Sequence, residues 1–242
     1  LSAAMLTAEH RVPSHFQGVF LRRGDAGMSL ELRVERVHDG RQLSHRRVQM
    51  LQADRLIFSA QVVLREPTAG MTLLHQAAPS RVHAAPESLA EVQELAEQFR
   101  DRLAPEILRR MVMKKAVLVK PVDQQAALLL RSPEPRLAIW LKAAQAVSAT
   151  PLMQYAALAF FSDFWLCWPC RSAHVDGLIN PVNRMSSLDH SMWFHADPRL
   201  DDWLLYEVDS PIAGSSFGLG RGAMYTRKGE LVASCMQQAL LS

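Results

Sequence analysis

The chain has 242 residues, of which 49% are hydrophobic and 21% charged, with 11 Gly and 13 Pro. This composition is typical of a globular protein and excludes a disordered or collagen-like chain. Lys and Arg total 27 against 24 acidic residues, and the basic residues are scattered singly or in pairs, which is not the pattern of a general nucleic-acid binder.

The cysteine content and one long apolar segment bear on where the protein works. Three cysteines are too few for a disulfide framework, so we expect a reducing, cytoplasmic compartment. Residues 151–170 approach the ~20 apolar residues of a membrane-spanning helix. They include Gln154 and Asp163, however, and a carboxylate at mid-membrane costs roughly 2.5–3.5 kcal/mol. We therefore predict a buried core helix and no membrane partner.

Residues 28–64 have the pattern of a three-stranded antiparallel meander. In the first strand, polar residues alternate with apolar ones that we expect on the buried face, namely Met28, Leu30, Leu32 and Val34. A hairpin turn is predicted at 38–41, because Asp39-Gly40 is a pair that accepts positive φ. The second strand is predicted at 43–51 and the third at 56–64, with a turn near 53–55.

The same layout recurs near the C-terminus. At an offset of 174 residues, identical residues coincide as follows: Phe20 with Phe194, Val34 with Val208, Gly40 with Gly214, Arg47 with Arg221, and Met50 with Met224. One extra residue in the last turn changes the offset to 175, where Leu56 coincides with Leu231 and Ser59 with Ser234. Identity is sparse, but strand lengths and turn positions agree, which indicates two copies of one unit.

The segment between the two copies has helical signals. Ser88 and Glu91 fit a capping box for a helix whose apolar positions continue to Leu103, and Pro105 predicts a second short helix. Two strands are then predicted, at 116–119 and 137–143. Thr150-Pro151 predicts the start of the apolar helix, which we expect to end near Trp168-Pro169. Four strands follow, including one at 189–195.

A helix that is apolar on nearly every side must be wrapped by other structure. One helix inside a strongly curved antiparallel sheet, present twice, predicts an α+β double hotdog fold. Its predicted parts are an N-terminal unit at 1–85, a helical connector at 86–114 and a C-terminal unit at 115–242. Because Leu1 to Ala8 matches only the end of a central helix, we expect the native protein to have an additional N-terminal segment.

Two motifs suggest other chemistries but lack the context that those chemistries need. Gly214-Ser215-Ser216-Phe217-Gly218 matches the G-x-S-x-G elbow of hydrolases with a serine nucleophile, yet a strand-like segment follows Ser216 and no His does. Cys167-Trp168-Pro169-Cys170 has the spacing of a redox pair, which requires an accessible helix N-terminus. These cysteines are predicted at the C-terminal end of the apolar helix, so redox or zinc chemistry is disfavoured.

Three polar groups interrupt otherwise apolar segments. Asp163 lies in the most apolar part of the chain, where a buried carboxylate must be paired or used. A structural alternative is that it caps a turn or pairs with Arg171. The segment 187–190, Ser-Leu-Asp-His, is a second polar cluster, and Gln237 is a third polar group in a strand that is predicted to be buried.

Longer motifs occur in both halves of the chain. They are FLRRGD at 20–25, ERVHDGRQLSHRRV at 35–48, SLDHSMWFH at 187–195, WLLY at 203–206 and LVASCMQ at 231–237. Together they closely resemble the acyl-CoA thioesterase II family of the TesB type, across essentially the whole chain. The resemblance implies a double hotdog enzyme that hydrolyses fatty acyl-CoA to free fatty acid and CoA.

The resemblance also implies three catalytic residues. The family's Asp corresponds to Asp163, its Thr corresponds to Ser187, which keeps the hydroxyl and loses the methyl group, and its Gln corresponds to Gln237. Asp163 would act as general base or orient a water that Ser187 and Gln237 also hold. Val62 stands at the position of Gln237 in the first copy, so we expect that copy to be structural.

The implied reaction needs no metal and no cofactor, since CoA is part of the substrate. A tunnel beside the apolar helix would take the acyl chain, and basic residues at its mouth would meet the CoA phosphates. Two alternatives stay open: a catalytically weak acyl-CoA-binding hotdog protein, because Ser187 and the Trp-rich helix end alter the site, and a thioesterase for carrier-bound acyl chains. A homo-oligomer is expected by resemblance to other hotdog proteins.

Overall fold

The computed structural model describes residues 1–67, 74–103, 105, 108–109, 116–129, 132–174, 185–214 and 216–241. The strands are β1 (Val12–Phe20), β2 (Glu31–Asp39), β3 (Leu43–Gln52), β4 (Arg55–Arg65), β5 (Val117–Pro121), β6 (Arg136–Ala143), β7 (Met185–Ser187), β8 (Asp189–Phe194), β9 (Leu204–Gly214), β10 (Phe217–Thr226) and β11 (Leu231–Leu241). The helices are α1 (Ser2–Met5), α2 (Val92–Gln98), α3 (Gln124–Leu129), α4 (Pro151–Ser162) and α5 (Pro169–Ser172), with 3₁₀ turns at Pro86–Ser88 and Arg100–Arg102.

The strands form one antiparallel sheet in which the sequence repeat is visible. The order is β2-β3-β4-β1-β8-β11-β10-β9-β6-β5. The short strand β7 pairs with β11 as well, at a different part of β11 from β8. The first four strands and the next four are thus arranged in mirrored order about the β1–β8 pair, where Gln17 lies opposite Ser191. This arrangement confirms the prediction of two copies of one unit and of an α+β double hotdog.

The core lies between the sheet and the apolar helix α4. The side chains of Tyr155, Leu158 and Phe161 on α4 are at most 2% exposed and belong to the main hydrophobic cluster of the molecule. Tyr155 packs edge-on against Phe194 of β8, with ring centroids 5.3 Å apart. Burying each such side chain contributes about 1.5–3 kcal/mol, so the helix is fixed to the sheet that carries the site.

The helix α4 has twelve residues. Within the described ranges, no helix is both long enough and apolar enough to cross a membrane. One face of α4 packs in the core, as predicted, but Met153 and Phe160 are 47% and 53% exposed, so the helix is not covered on every side.

The predicted buried face of the first meander strand is wrong for three of its four residues, since only Val34 is partly buried and packs against the core. Met28, Leu30 and Leu32 are 45–52% exposed. The strand begins only at Glu31, and β2 is the terminal strand of the sheet, so within the described residues one strand, β3, is hydrogen-bonded to it. Alternation of apolar and polar residues specifies a strand, but it does not specify that both neighbours and a covering layer are present.

The predicted capping box at Ser88 is also wrong. Residues 86–88 form a 3₁₀ turn, and α2 begins at Val92 with Glu91 as its N-cap. The side chain of Glu94 accepts a hydrogen bond from the Glu91 backbone N–H at 3.0 Å. The capping interaction is therefore the same in kind but lies three residues later. Most of the predicted second helix after Pro105 lies outside the described residues.

Candidate active site

Three elements bring the predicted catalytic residues together. Asp163 directly follows α4, Ser187 is the last residue of β7, and Gln237 lies in the middle of β11. Gln237 Nε2 donates one hydrogen bond to Asp163 Oδ1 at 3.2 Å and another to Ser187 Oγ. The two amide protons of a single glutamine therefore join the carboxylate and the hydroxyl.

The helix that carries Asp163 ends earlier than predicted. α4 stops at Ser162 rather than near Trp168, and the chain then turns, with Trp165 at a φ of 66°. The Oη–H of Tyr206 on β9 donates to the carbonyl oxygen of Ser162 at 2.7 Å, which satisfies one of the last carbonyls of the helix. Tyr206 is 0% exposed, and burial raises the pKa of its phenol, so it keeps this proton.

Glycines of β10 explain why the chain turns at this point. A Cβ on Gly220 would lie 2.3 Å from the carbonyl oxygen of Leu166, and one on Gly218 would lie 2.6 Å from Cβ of Cys170. The segment after α4 thus lies directly on the backbone of β10, where side chains would exclude it. A continued helix would not make this contact.

The early end of α4 corrects the predicted environment of Asp163. The residue is exposed, not buried in the apolar segment that surrounds it in the sequence. Its neighbours Phe161 and Ser162 are buried, so the helix delivers the carboxylate to the surface at its last turn. The carboxylate is therefore accessible to water and to a ligand, while the amide that holds it is 2% exposed.

A series of buried, hydrogen-bonded side chains extends from Gln237 into the interior. His190 Nδ1 lies 3.1 Å from Gln237 Oε1, and His190 Nε2 lies 2.9 Å from Ser162 Oγ. His190 is 5% exposed and its ring stacks on Phe16, with centroids 5.5 Å apart. Burial lowers the pKa of His190, so the imidazole is held in its neutral form.

Sequence reasoning named His190 only as part of a polar cluster and missed its contact with Gln237. Comparison of equivalent positions in the two repeated units points to this contact. In the first unit the positions of His190 and Gln237 are occupied by Phe16 and Val62, which lie opposite each other on β1 and β4. The polar pair of the second unit thus replaces an apolar pair of the first.

The two cysteines of the redox-like motif are placed differently from the prediction. Cys167 lies in the turn after α4 and Cys170 lies in the short helix α5, not at the end of the apolar helix. Both are buried free thiols, and Cys167 Sγ is 3.7 Å from the carbonyl oxygen of Gln237. The hydrogen bond with Cys170, together with burial, raises the pKa of Cys167, which disfavours a reactive thiolate there.

The structure also places the G-x-S-x-G segment and the potential metal ligands. Ser216, with a φ of 68°, lies in the hairpin between β9 and β10, and a strand rather than a helix begins at Phe217; Ser215 lies outside the described residues. This is not the strand-turn-helix geometry of a nucleophile elbow. In the part of the chain that the structure describes, no group of three or more His, Cys, Asp or Glu side chains is placed to hold a metal ion.

Comparisons with known proteins assign the chain to a family. The family model of the acyl-CoA thioesterase N-terminal domain matches residues 1–65, and that of the acyl-CoA thioesterase C-terminal domain matches residues 79–241. The chain is 31% identical over 229 residues to human Acyl-coenzyme A thioesterase 8, covering 92% of this chain and 70% of that protein.

Bacterial proteins are similar over more of their length. Acyl-CoA thioesterase 2 of Haemophilus influenzae is 27% identical over 250 residues, covering 100% of this chain and 84% of that protein. The crystal structure of acyl-CoA thioesterase II TesB2 from Mycobacterium marinum superposes with a TM-score of 0.78 at 29% identity, covering 99% of this chain and 84% of that one. The chain therefore belongs to the acyl-CoA thioesterase family of hydrolases and has the double hotdog fold.

Proposed function

We propose that this protein hydrolyses fatty acyl-CoA thioesters to free fatty acid and CoA, with a water held by Asp163, Ser187 and Gln237. The observation that carries the proposal is that an exposed carboxylate and a hydroxyl both accept hydrogen bonds from one buried amide. The names of the similar proteins support the substrate class. A thioester carbonyl is already electrophilic, so the enzyme mainly has to place and activate water.

In the proposed reaction, Asp163 accepts a proton from water as the water oxygen attacks the carbonyl carbon. The carbonyl π electrons move to oxygen, and when the tetrahedral intermediate collapses the C–S bond breaks. The sulfur leaves as the CoA thiolate, which takes up the proton held by Asp163 or one from solvent. The net reaction consumes one water and yields the carboxylic acid and the thiol.

Ser187 and Gln237 have complementary roles in this proposal. The oxygen of Ser187 accepts from Gln237, so its own proton is available to the water or to the developing oxyanion. Gln237 fixes both partners because it projects from the interior of a paired strand, where little rotation is possible. The reaction as proposed uses no metal and no cofactor.

The test is thiol release from acyl-CoAs of short, medium and long chain by the wild type and by Asp163→Asn. The substitution keeps size and hydrogen bonding but removes the base, so we expect kcat to fall at least ~100-fold. Binding of a non-hydrolysable acyl-CoA thioether is measured in parallel and is expected to be retained.

The other outcomes distinguish the alternatives. Tight binding with no wild-type turnover supports an acyl-CoA-binding protein and overturns the catalytic assignment. Turnover of acyl chains on a carrier protein, with none on acyl-CoA, moves the substrate to the carrier and leaves the mechanism in place. Full activity of Asp163→Asn overturns the role of Asp163.

A further inference from the structure

We infer that His190 is a positioning residue for the proposed reaction: its Nδ1–H donates to Gln237 Oε1 and thereby holds the amide protons of Gln237 toward Asp163 and Ser187. The inference rests on the proposed function and assigns to the catalytic glutamine a buried partner of its own. His190 itself does not touch the substrate. It acts through Gln237, from the side of the amide opposite to the carboxylate.

The amide of Gln237 can lie in either of two orientations. A glutamine side chain has an acceptor oxygen and a donor nitrogen, and turning the terminal group by 180° exchanges them. In the observed orientation Nε2 faces Asp163 and Ser187, and Oε1 faces His190. In the opposite orientation Oε1 would face the carboxylate, which has no proton to give. Asp163 therefore selects the orientation in which His190 must be the donor.

The single proton of a neutral His190 ring determines which of its nitrogens can donate. A neutral imidazole has one N–H and one lone pair, so a proton on Nδ1 leaves Nε2 as an acceptor. Ser162 Oγ lies 2.9 Å from Nε2, and in the inferred arrangement it gives its single proton to this nitrogen. The same hydroxyl lies 2.7 Å from the carbonyl oxygen of Ala159, which is its alternative acceptor. When Ser162 donates to His190, every hydrogen bond in the series Ser162, His190, Gln237 and Asp163 has one donor and one acceptor.

Burial makes the orientation of the Gln237 amide persistent. Ser162, His190 and Gln237 are 0%, 5% and 2% exposed. Water has little access to replace a lost partner at such positions, so an inverted amide would leave unsatisfied groups. Phe16 covers one face of the imidazole and fixes the plane of the ring.

The two units carry different residues at the positions of His190 and Gln237. Phe16 and Val62, which lie opposite each other on β1 and β4, stand in the first unit where the repeat offsets place His190 and Gln237 in the second. The histidine is therefore not needed for the strands to pair at this place in the fold. It occurs in the unit that has the glutamine and is replaced in the unit that lacks it, as expected for a residue that serves the glutamine.

The test compares His190→Phe, His190→Asn and Gln237→Leu in thiol release. The phenylalanine variant keeps an aromatic ring but has no donor, so we expect kcat to fall about 10- to 100-fold with KM little changed, the scale of a misplaced reacting group. The asparagine side chain has an N–H near the position of Nδ1 and is expected to restore most of kcat. His195→Phe, which removes a histidine from an exposed His195–Ser234 contact at the end of β8, is the matched control and is expected to leave activity unchanged.

A measurement on the wild type does not depend on whether the variants fold. ¹⁵N NMR of the imidazole is expected to show neutral His190 with its proton on Nδ1, and a proton on Nε2 alone overturns the inference. Full activity of His190→Phe beside an inactive Gln237→Leu overturns the inference and leaves the proposed function intact. Full activity of Gln237→Leu overturns the proposed function, and the NMR result then still decides whether His190 donates to the glutamine.

Discussion

In the proposed site Ser187 provides the hydroxyl, at a position where the family resemblance implies threonine. Its oxygen accepts from Gln237, and its backbone pairs with Ala239 of β11, so the position is held by both side chain and main chain. We predict that Ser187→Thr retains activity within about tenfold, because the hydroxyl stays and a β-branched residue suits a strand. Ser187→Ala removes the hydroxyl and is expected to lower kcat at least ~100-fold, the scale of a lost stabilising donor. Thiol-release kinetics check both, and equal loss in the two variants contradicts a role for the hydroxyl.

For individual residues, the sequence predicted which side chains come together better than it predicted their surroundings. Asp163 and Gln237 were singled out as polar groups in apolar segments, Ser187 was singled out by the family resemblance, and the structure places the three together. The exposure of Asp163 was predicted wrongly, because it depends on where α4 ends. That end is set by contacts with Tyr206 and with the glycines of β10, which are more than 40 residues away in the chain.

The contact between the turn after α4 and strand β10 links sheet packing to the position of Asp163. We predict that Gly220→Ala destabilises the protein by about 1–3 kcal/mol, because its Cβ would meet the backbone of Leu166 and the segment must move. The same shift displaces the neighbouring Asp163, so kcat is expected to fall as well. Urea unfolding and thiol release measure the two effects. Gly214→Ala is the matched control, since its added Cβ would meet nothing within 4 Å, and equal behaviour of the two variants contradicts this account.

The strands could be predicted from the sequence and the helix end could not. Period-two patterns are local, and β3 and β4 lie within one residue of where they were predicted. The first hairpin turn is displaced to 40–42 because Asp39 still belongs to β2, and the positive φ values expected at Asp39-Gly40 occur instead at Ala53 and Asp54 in the next turn. Helix termination is local only when a Gly, a Pro or a capping residue causes it. In α4 the cause is tertiary, so the apolar pattern continues past Ser162 although the helix does not.

The two units have different residues at the place where the segment after the helix packs on the sheet. In the second unit, main chain lies on Gly220, whereas the equivalent position in the first unit is Arg46, whose side chain is 1% exposed. Its guanidinium donates to Thr7 Oγ1 at 2.7 Å and to Asp39 Oδ1 at 2.6 Å. The hydrogen bond from Ser44 and the one from Arg46 lower the pKa of Asp39, so this carboxylate stays charged beside the arginine. The first unit thus holds its chain after α1 with a buried charge rather than with the geometry that exposes the Asp163 carboxylate.

The asymmetry between the units predicts one active site per chain. The first unit has Leu6 after α1 where the second has Asp163 after α4, and it has Pro13 and Val62 where the second has Ser187 and Gln237. Three apolar side chains cannot activate water, and a single polar replacement does not supply the other two groups.

We therefore expect calorimetric titration with a non-hydrolysable acyl-CoA to give one bound molecule per chain. Asp163→Asn is expected to remove the activity of the whole chain, with no remainder from the first unit. Val62→Gln, added to Gln237→Leu, should restore nothing in the thiol-release assay, because the new amide would have neither a carboxylate to hold nor a histidine to orient it. Two molecules bound per chain, or recovery of turnover in the double variant, would show that the first unit is a second site.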